Sequence, residues 1–128
     1  MNVALLPPLW LVHVAVAAVW LYEGLWCKLL NGQPRQLRVV EAMPLYRSGV
    51  AANLLKLLGA VETAIGVWIL TGIAPIVCAV AQTALLVTLN FCGVLWGRRL
   101  IDDPAGMVVK NFAFLVLVWV SASFPVWT

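Results

Sequence analysis

Charge is what this sequence has least of. Lysine, arginine, aspartate and glutamate make up 10% of its 128 residues, against 64% apolar ones. A soluble domain is about a quarter charged and roughly half apolar, so no water-soluble fold of this length hides so much apolar surface. A spanning helix takes about 20 residues. The chain therefore holds four spans, short turns and one longer loop, and leaves no room for a soluble catalytic domain. Other absences narrow the function further. There is no phosphate-binding glycine loop, nucleophile elbow or HExxH, so no nucleotide or metal motif is present. His13, the one histidine, has no second ligand at metal-binding spacing. Cys27, Cys78 and Cys92 form no CxxC. Cys78 and Cys92 share one apolar run and, in a helix, stand about 21 Å apart, too far to pair. They read as small buried apolar side chains.

What is present is a hydropathy pattern with clear punctuation. It predicts an all-α, transmembrane, antiparallel four-helix bundle forming one domain over 1–128, with spans at about 9–30, 54–70, 75–96 and 104–124. Pro7 and Pro8 suit a helix start, and Asn31-Gly32 stops the first span. The interfacial loop 31–53 carries Arg35, Arg38, Glu41 and Arg47. Within it Leu37, Val40 and Met43 fall at helical spacing, which predicts a short surface helix closed by Pro44. Thr71-Gly72 and Pro75 form a tight turn, Gly97-Arg98-Arg99 stops the third span, and Asp103-Pro104 reads as N-cap and first-turn proline of the fourth. The last span ends near Phe124-Pro125. Met1 to Ala18 has the apolar stretch of a signal peptide, but it lacks a basic start and runs on into Trp20, Tyr22 and Glu23, so it reads as part of the first span.

Eight basic and five acidic residues give a net charge of +3. This does not point to nucleic acid, because the basic residues sit at helix ends, where they meet anionic headgroups. All of them (Lys28, Arg35, Arg38, Arg47, Lys56, Arg98, Arg99 and Lys110) lie in or beside the first and third connections. The positive-inside rule then places both connections in the cytoplasm and both termini outside. Trp10, Trp68 and Trp127 would mark the outer interface, and Trp26 and Trp96 the inner one. So one-sided a bias also argues against dual topology.

Five residues break the apolar pattern: Glu23, Glu62, Asn90, Lys110 and Asn111. An ionisable side chain inside a span costs at least ~2.5 kcal/mol and is read first as functional. At about 1.5 Å per residue, all five lie roughly 10 Å below the inner surface. Lys28 and Lys56 sit just above this layer, and Gln82 lies at mid-span as a supporting hydrogen-bonding group. Two carboxylates cannot both be ionised cheaply in one low-dielectric layer. Lys110 or a bound ligand has to compensate them. Such a layer relays protons, holds a polar headgroup, or pins helix register as a closed network. Thr83 reads as an interhelical hydrogen-bonding residue, and Gly59, Glu62 and Gly66 share one face that permits close helix contact.

Three segments together resemble the DoxX-like family of small bacterial membrane proteins. They are VWLYEGLWCKLL around Glu23 and Lys28, then Lys56-Leu-Leu-Gly59-Ala-Val-Glu62-Thr-Ala-Ile-Gly66 with Gly72, then Asp103-Pro104-Ala-Gly106 with Lys110-Asn111. The likeness runs over about Leu9 to Trp119. It implies a four-helix membrane bundle and places Glu23, Lys28, Glu62, Lys110 and Asn111 in the family pattern. The wider family takes its name from a thiosulfate:quinone oxidoreductase subunit. The resemblance thus implies a redox- or respiration-linked membrane component, with Glu23 and Glu62 as proton acceptors or headgroup ligands for a quinone-like molecule. Two other readings stay open: a non-catalytic accessory subunit of a larger membrane complex or homo-oligomer, and a small proton-coupled transporter. Four spans with a glutamate in the first also occur in small multidrug exporters, but the flanking residues here do not match theirs.

Overall fold

The computed structural model describes residues 7–30, 34–42 and 50–123. Helix α1, Leu9–Leu21, runs without a break into a π-helical stretch, Tyr22–Leu29. Helix α2 is short, Pro34–Glu41; α3 is Val50–Thr71, α4 is Pro75–Trp96 and α5 is Pro104–Ala122. A single 3₁₀ turn, Arg98–Leu100, leads from α4 towards α5. Among the described residues four helices are long and apolar enough to cross a membrane: Leu9–Leu29, Ala52–Thr71, Pro75–Trp96 and Pro104–Ala122. The chain is an all-α, multi-pass membrane protein whose spans form a four-helix bundle. Its outward faces are apolar, with Val67, Ile73, Val109 and Phe112 each more than half exposed. That pattern belongs in lipid.

Local chemistry accounts for the helix ends. Asp103 caps α5, its Oδ1 accepting the Gly106 N–H at 3.0 Å, and Pro104 occupies the first turn, where its missing N–H is no loss. The α3–α4 turn needs positive φ at Gly72 (72°), which glycine adopts freely, and at Ala74 (46°). Trp68 ties this turn down by donating Nε1–H to the Ile73 carbonyl at 2.6 Å. The loop helix is not a free surface element. Val40 of α2 is buried with Leu55 of α3, and Leu37 and Leu54 pack beside them. Met43 and Pro44, expected to continue and close this helix, lie outside the described residues. So do Asn31, Gly32, Arg47, Phe124, Pro125 and Trp127.

The four spans pack as two close pairs. Helix α1 and its π-helical continuation lie along α3, and α4 lies along α5. The α1–α5 and α3–α4 contacts that join the pairs are sparser. Glycine sets the first pair. A Cβ built on Gly24 would stand 2.6 Å from the Gly59 carbonyl oxygen, and one on Gly59 would stand 2.7 Å from the Gly24 carbonyl oxygen. Gly66, two turns along, receives the Leu21 side chain, whose Cγ is 2.7 Å from where a Cβ would be. The expected small-residue face of α3 is therefore the crossing surface with α1. Trp20 anchors the seam between the pairs, with its ring 5.8 Å from that of Phe114 on α5 and tilted by 58°.

At Gly59 the obstacle is backbone, which cannot turn aside. Gly59→Val is expected to cost about 1–3 kcal/mol, read as a lower unfolding midpoint in detergent. Gly93→Ala should change little, because its Cβ meets only the flexible ends of two side chains, Ile101 Cδ1 at 3.4 Å and Met107 Cε at 3.7 Å.

Candidate intramembrane polar site

Glu62 sits on the glycine face of α3, and the close α1–α3 crossing buries it to 1% exposure. A carboxylate so placed requires a partner. Lys28 supplies one, donating from Nζ to Glu62 Oε2 at 2.8 Å, and the same ammonium lies 3.6 Å from Glu23 Oε2. One lysine thus bridges two acids, one from its own helix and one from α3.

The π-helix explains how. Glu23 and Lys28 are five residues apart. On an α-helix that spacing turns two side chains well away from each other, since neighbours are three or four apart. From Tyr22 to Leu29 the backbone bonds i to i+5 instead, and the Leu30 N–H continues the pattern to the Leu25 carbonyl at 2.9 Å. Residues five apart then stack on one face. Lys28, which α-helical spacing places towards the headgroups, is drawn inward and left 9% exposed.

The other pair of spans contributes amides. Asn90 of α4 donates Nδ2–H to the Leu86 carbonyl at 2.8 Å, and Asn111 of α5 donates to Asn90 Oδ1 at 2.7 Å. Between these amides and the Lys28–glutamate cluster lies a cavity of about 340 Å³. Glu23, Lys28, Glu62, Asn90 and Asn111 all line it, so each of the four spans supplies a polar group. The rest of the wall is apolar: Leu58, Leu89, Met107 and Phe114 among others, with Val40 of α2. The volume falls in the range of small-ligand sites, and a mostly apolar wall with a few convergent polar groups is their usual composition.

Towards the turn between α3 and α4 the bundle closes. Trp20, which lines the cavity, donates Nε1–H to Gln82 Oε1 at 2.8 Å, and Gln82 Nε2 lies 3.4 Å from Cys78 Sγ. Beyond them Ser121 hydrogen-bonds His13 Nδ1, and Trp119 donates to Thr83 Oγ1 at 2.9 Å. A separate pocket of about 20 Å³ lies beside His13, Cys78, Gln82 and Ser121, room for about one water.

Lys110 does not take the place expected for it. Met107, Asn111 and Phe114 form the cavity stripe of α5 at helical spacing. Lys110, one position before Asn111, is turned off that stripe, exposed, and in no ion pair among the described residues. The counter-charge expected of it belongs to Lys28. Lys56 is likewise exposed and absent from the cavity wall. Gln82 is buried but positions Trp20 rather than facing the cavity. Phe114 is a wall residue that the sequence did not single out for this cavity; its spacing from Asn111, three residues, is the signal that places it on the same face.

A family model described as the DoxX-like family matches residues 17–119, a range that holds every residue lining the cavity. No curated protein and no solved structure matches the chain.

Removing one partner of a buried ion pair typically costs about 3–5 kcal/mol, because the other charge is left uncompensated. Lys28→Met is expected to lower the unfolding midpoint in detergent by that order, and Lys28→Met with Glu62→Gln to recover most of it. Lys110→Met should stay within about 0.5 kcal/mol of the parent. The opposite ranking would return the counter-charge to Lys110.

Proposed function

The chain belongs to the DoxX-like family, and from that membership together with the cavity we propose that it is a redox- or respiration-linked membrane component that binds the head of a small quinone-like amphiphile. One observation carries the reading: a cavity of about 340 Å³ whose polar residues come from four different spans and whose remaining wall is apolar. A network that served only to fix register would close on itself and leave no space among its members. Here Glu23, Glu62 and Lys28 face Asn90 and Asn111 across open volume. Glu62 and Glu23 act as headgroup or proton acceptors, Lys28 holds them in place, and the two asparagines complete the polar end. Leu58, Leu89 and Met107 offer an apolar surface to the remainder of the ligand.

In this reading the protein resides in a bacterial inner membrane. The basic residues gathered around the α1–α3 and α4–α5 connections face the cytoplasm, and both termini face outward. The cavity then lies in the cytoplasmic half of the bilayer, where α2 packs over it through Val40. A membrane partner, or a second copy of the chain, would receive the ligand or its protons.

A short-chain alkylquinone is expected to raise the unfolding temperature of the detergent-solubilised protein in a concentration-dependent way, as ligand linkage requires. Leu58→Trp, which grows into the cavity, should weaken that response at least tenfold while helical content stays unchanged. An unchanged response in the filled variant would place the binding elsewhere.

A further inference from the structure

Resting on the reading that the cavity holds an amphiphile's head, we infer that the ligand enters sideways from the bilayer, between α1 and α5, and keeps its tail in that seam against Val19. A head with a chain behind it needs an opening, and most of the wall is shut. Towards the α3–α4 turn, Trp20 bonds Gln82 and lies 5.8 Å from the Phe114 ring, which closes that end. At the opposite end α2 packs against the π-helical stretch, α3, α4 and the 3₁₀ turn, and buries Val40 over the cavity. The α1–α3 side is closed by the Gly24–Gly59 crossing and by Lys28 on Glu62. The α4–α5 side is closed by Asn111 on Asn90 and, further along, by Trp119 on Thr83.

Two seams remain, and exposure separates them. Where α3 faces α4, the wall residues Leu58 and Leu89 are both half-buried. Where α1 faces α5, Val19 lines the cavity and is nevertheless 41% exposed, the one exposed residue among the described residues of the wall. Its azimuth places it. Leu21 meets Gly66 of α3, and Trp20 meets Phe114 of α5. At about 100° per residue, Val19 lies one step beyond Trp20, away from α3, on the outer edge of the α1–α5 seam. Glu23, a turn further on, shares that edge, with its side chain 40% exposed. A residue that touches both the cavity and the lipid marks a continuous path between them. A molecule already dissolved in the bilayer can bring its head past Glu23 and Asn111 by this path, and its chain needs no buried tunnel.

Head and tail are separated by paired probes: a decyl-substituted benzoquinone, and the same ring carrying methyl in place of decyl. Each is titrated against the full-length protein in detergent and read as the rise in unfolding temperature. Val19→Trp is expected to weaken the decyl probe at least about fivefold, the lower end of what steric overpacking costs, and the methyl probe less than about twofold. Val19→Ala, which obstructs nothing, should bind both like the parent. Val61→Trp tests the other seam. Val61 is 41% exposed and lies on the opposite side of Glu62 from Thr63, which packs against Gly24, so it occupies the α4-facing edge of α3. Its replacement should alter neither probe. A loss confined to Val61→Trp would overturn the proposal by moving the tail to the α3–α4 seam. Decyl binding that survives Val19→Trp but is abolished by Leu58→Trp would overturn it too, and would leave the amphiphile site standing without this portal. Equal loss of both probes in Val19→Trp also counts against it, since Val19 would then be touching the head. If neither probe binds the parent protein, both the route and the proposed function fall.

Discussion

An ammonium shared between two carboxylates inside an apolar bundle fixes the position of everything around it. Glu62 is tolerable in its buried site only because Lys28 Nζ stands 2.8 Å away, and Lys28 reaches that point only because its helix has widened. The helix, in turn, lies close enough only because Gly24 and Gly59 bring two backbones together without side chains between them. The attraction within the pair is largely cancelled by the desolvation of both ions, so its effect is geometric more than energetic. It specifies which face of α1 meets which face of α3, and so where the amides of the other two spans must look.

Close packing within each helix pair and looser packing between the pairs is what leaves a cavity in the half nearer the α4–α5 connection. Trp20 and Phe114 close the cavity towards the α3–α4 turn, and beyond them the seam is held by the hydrogen bonds of Gln82, His13 and Ser121. The bundle is thus sealed at one end and hollow near the other, and the polar groups sit in the hollow part. The amphiphile reading depends on this asymmetry of packing, which the charge of single residues does not reveal.

Much of this arrangement was legible in the sequence, and the reasons are physical. A long apolar run has one stable solution in lipid, so helices were certain once composition was read. Counting residues from the span ends was enough to bring Glu23, Glu62, Asn90 and Asn111 to a common depth, because rise per residue varies little. Rotation about the axis is what residue counting does not supply. Lys110 shares the depth of Asn111 but not its azimuth, and it points away. Lys28 was placed above the layer from its depth alone, and the i-to-i+5 backbone of Tyr22–Leu29 turns it onto the face of Glu23 instead. No composition signal announces a π-helix. The paired glycines at the crossing and two opposite charges five residues apart are the marks it left.

The widened stretch from Tyr22 to Leu29 also bears on how related chains are compared. A π-helical segment packs one more residue into a turn than an α-helix does, so it is in effect a one-residue insertion absorbed without a loop. A relative whose first span is α-helical throughout would align with this chain only through a gap of one position somewhere between Leu21 and Leu30. Without that gap its lysine would be matched to Cys27, and the ion bridge would be counted as lost where it had only moved by one place in the text.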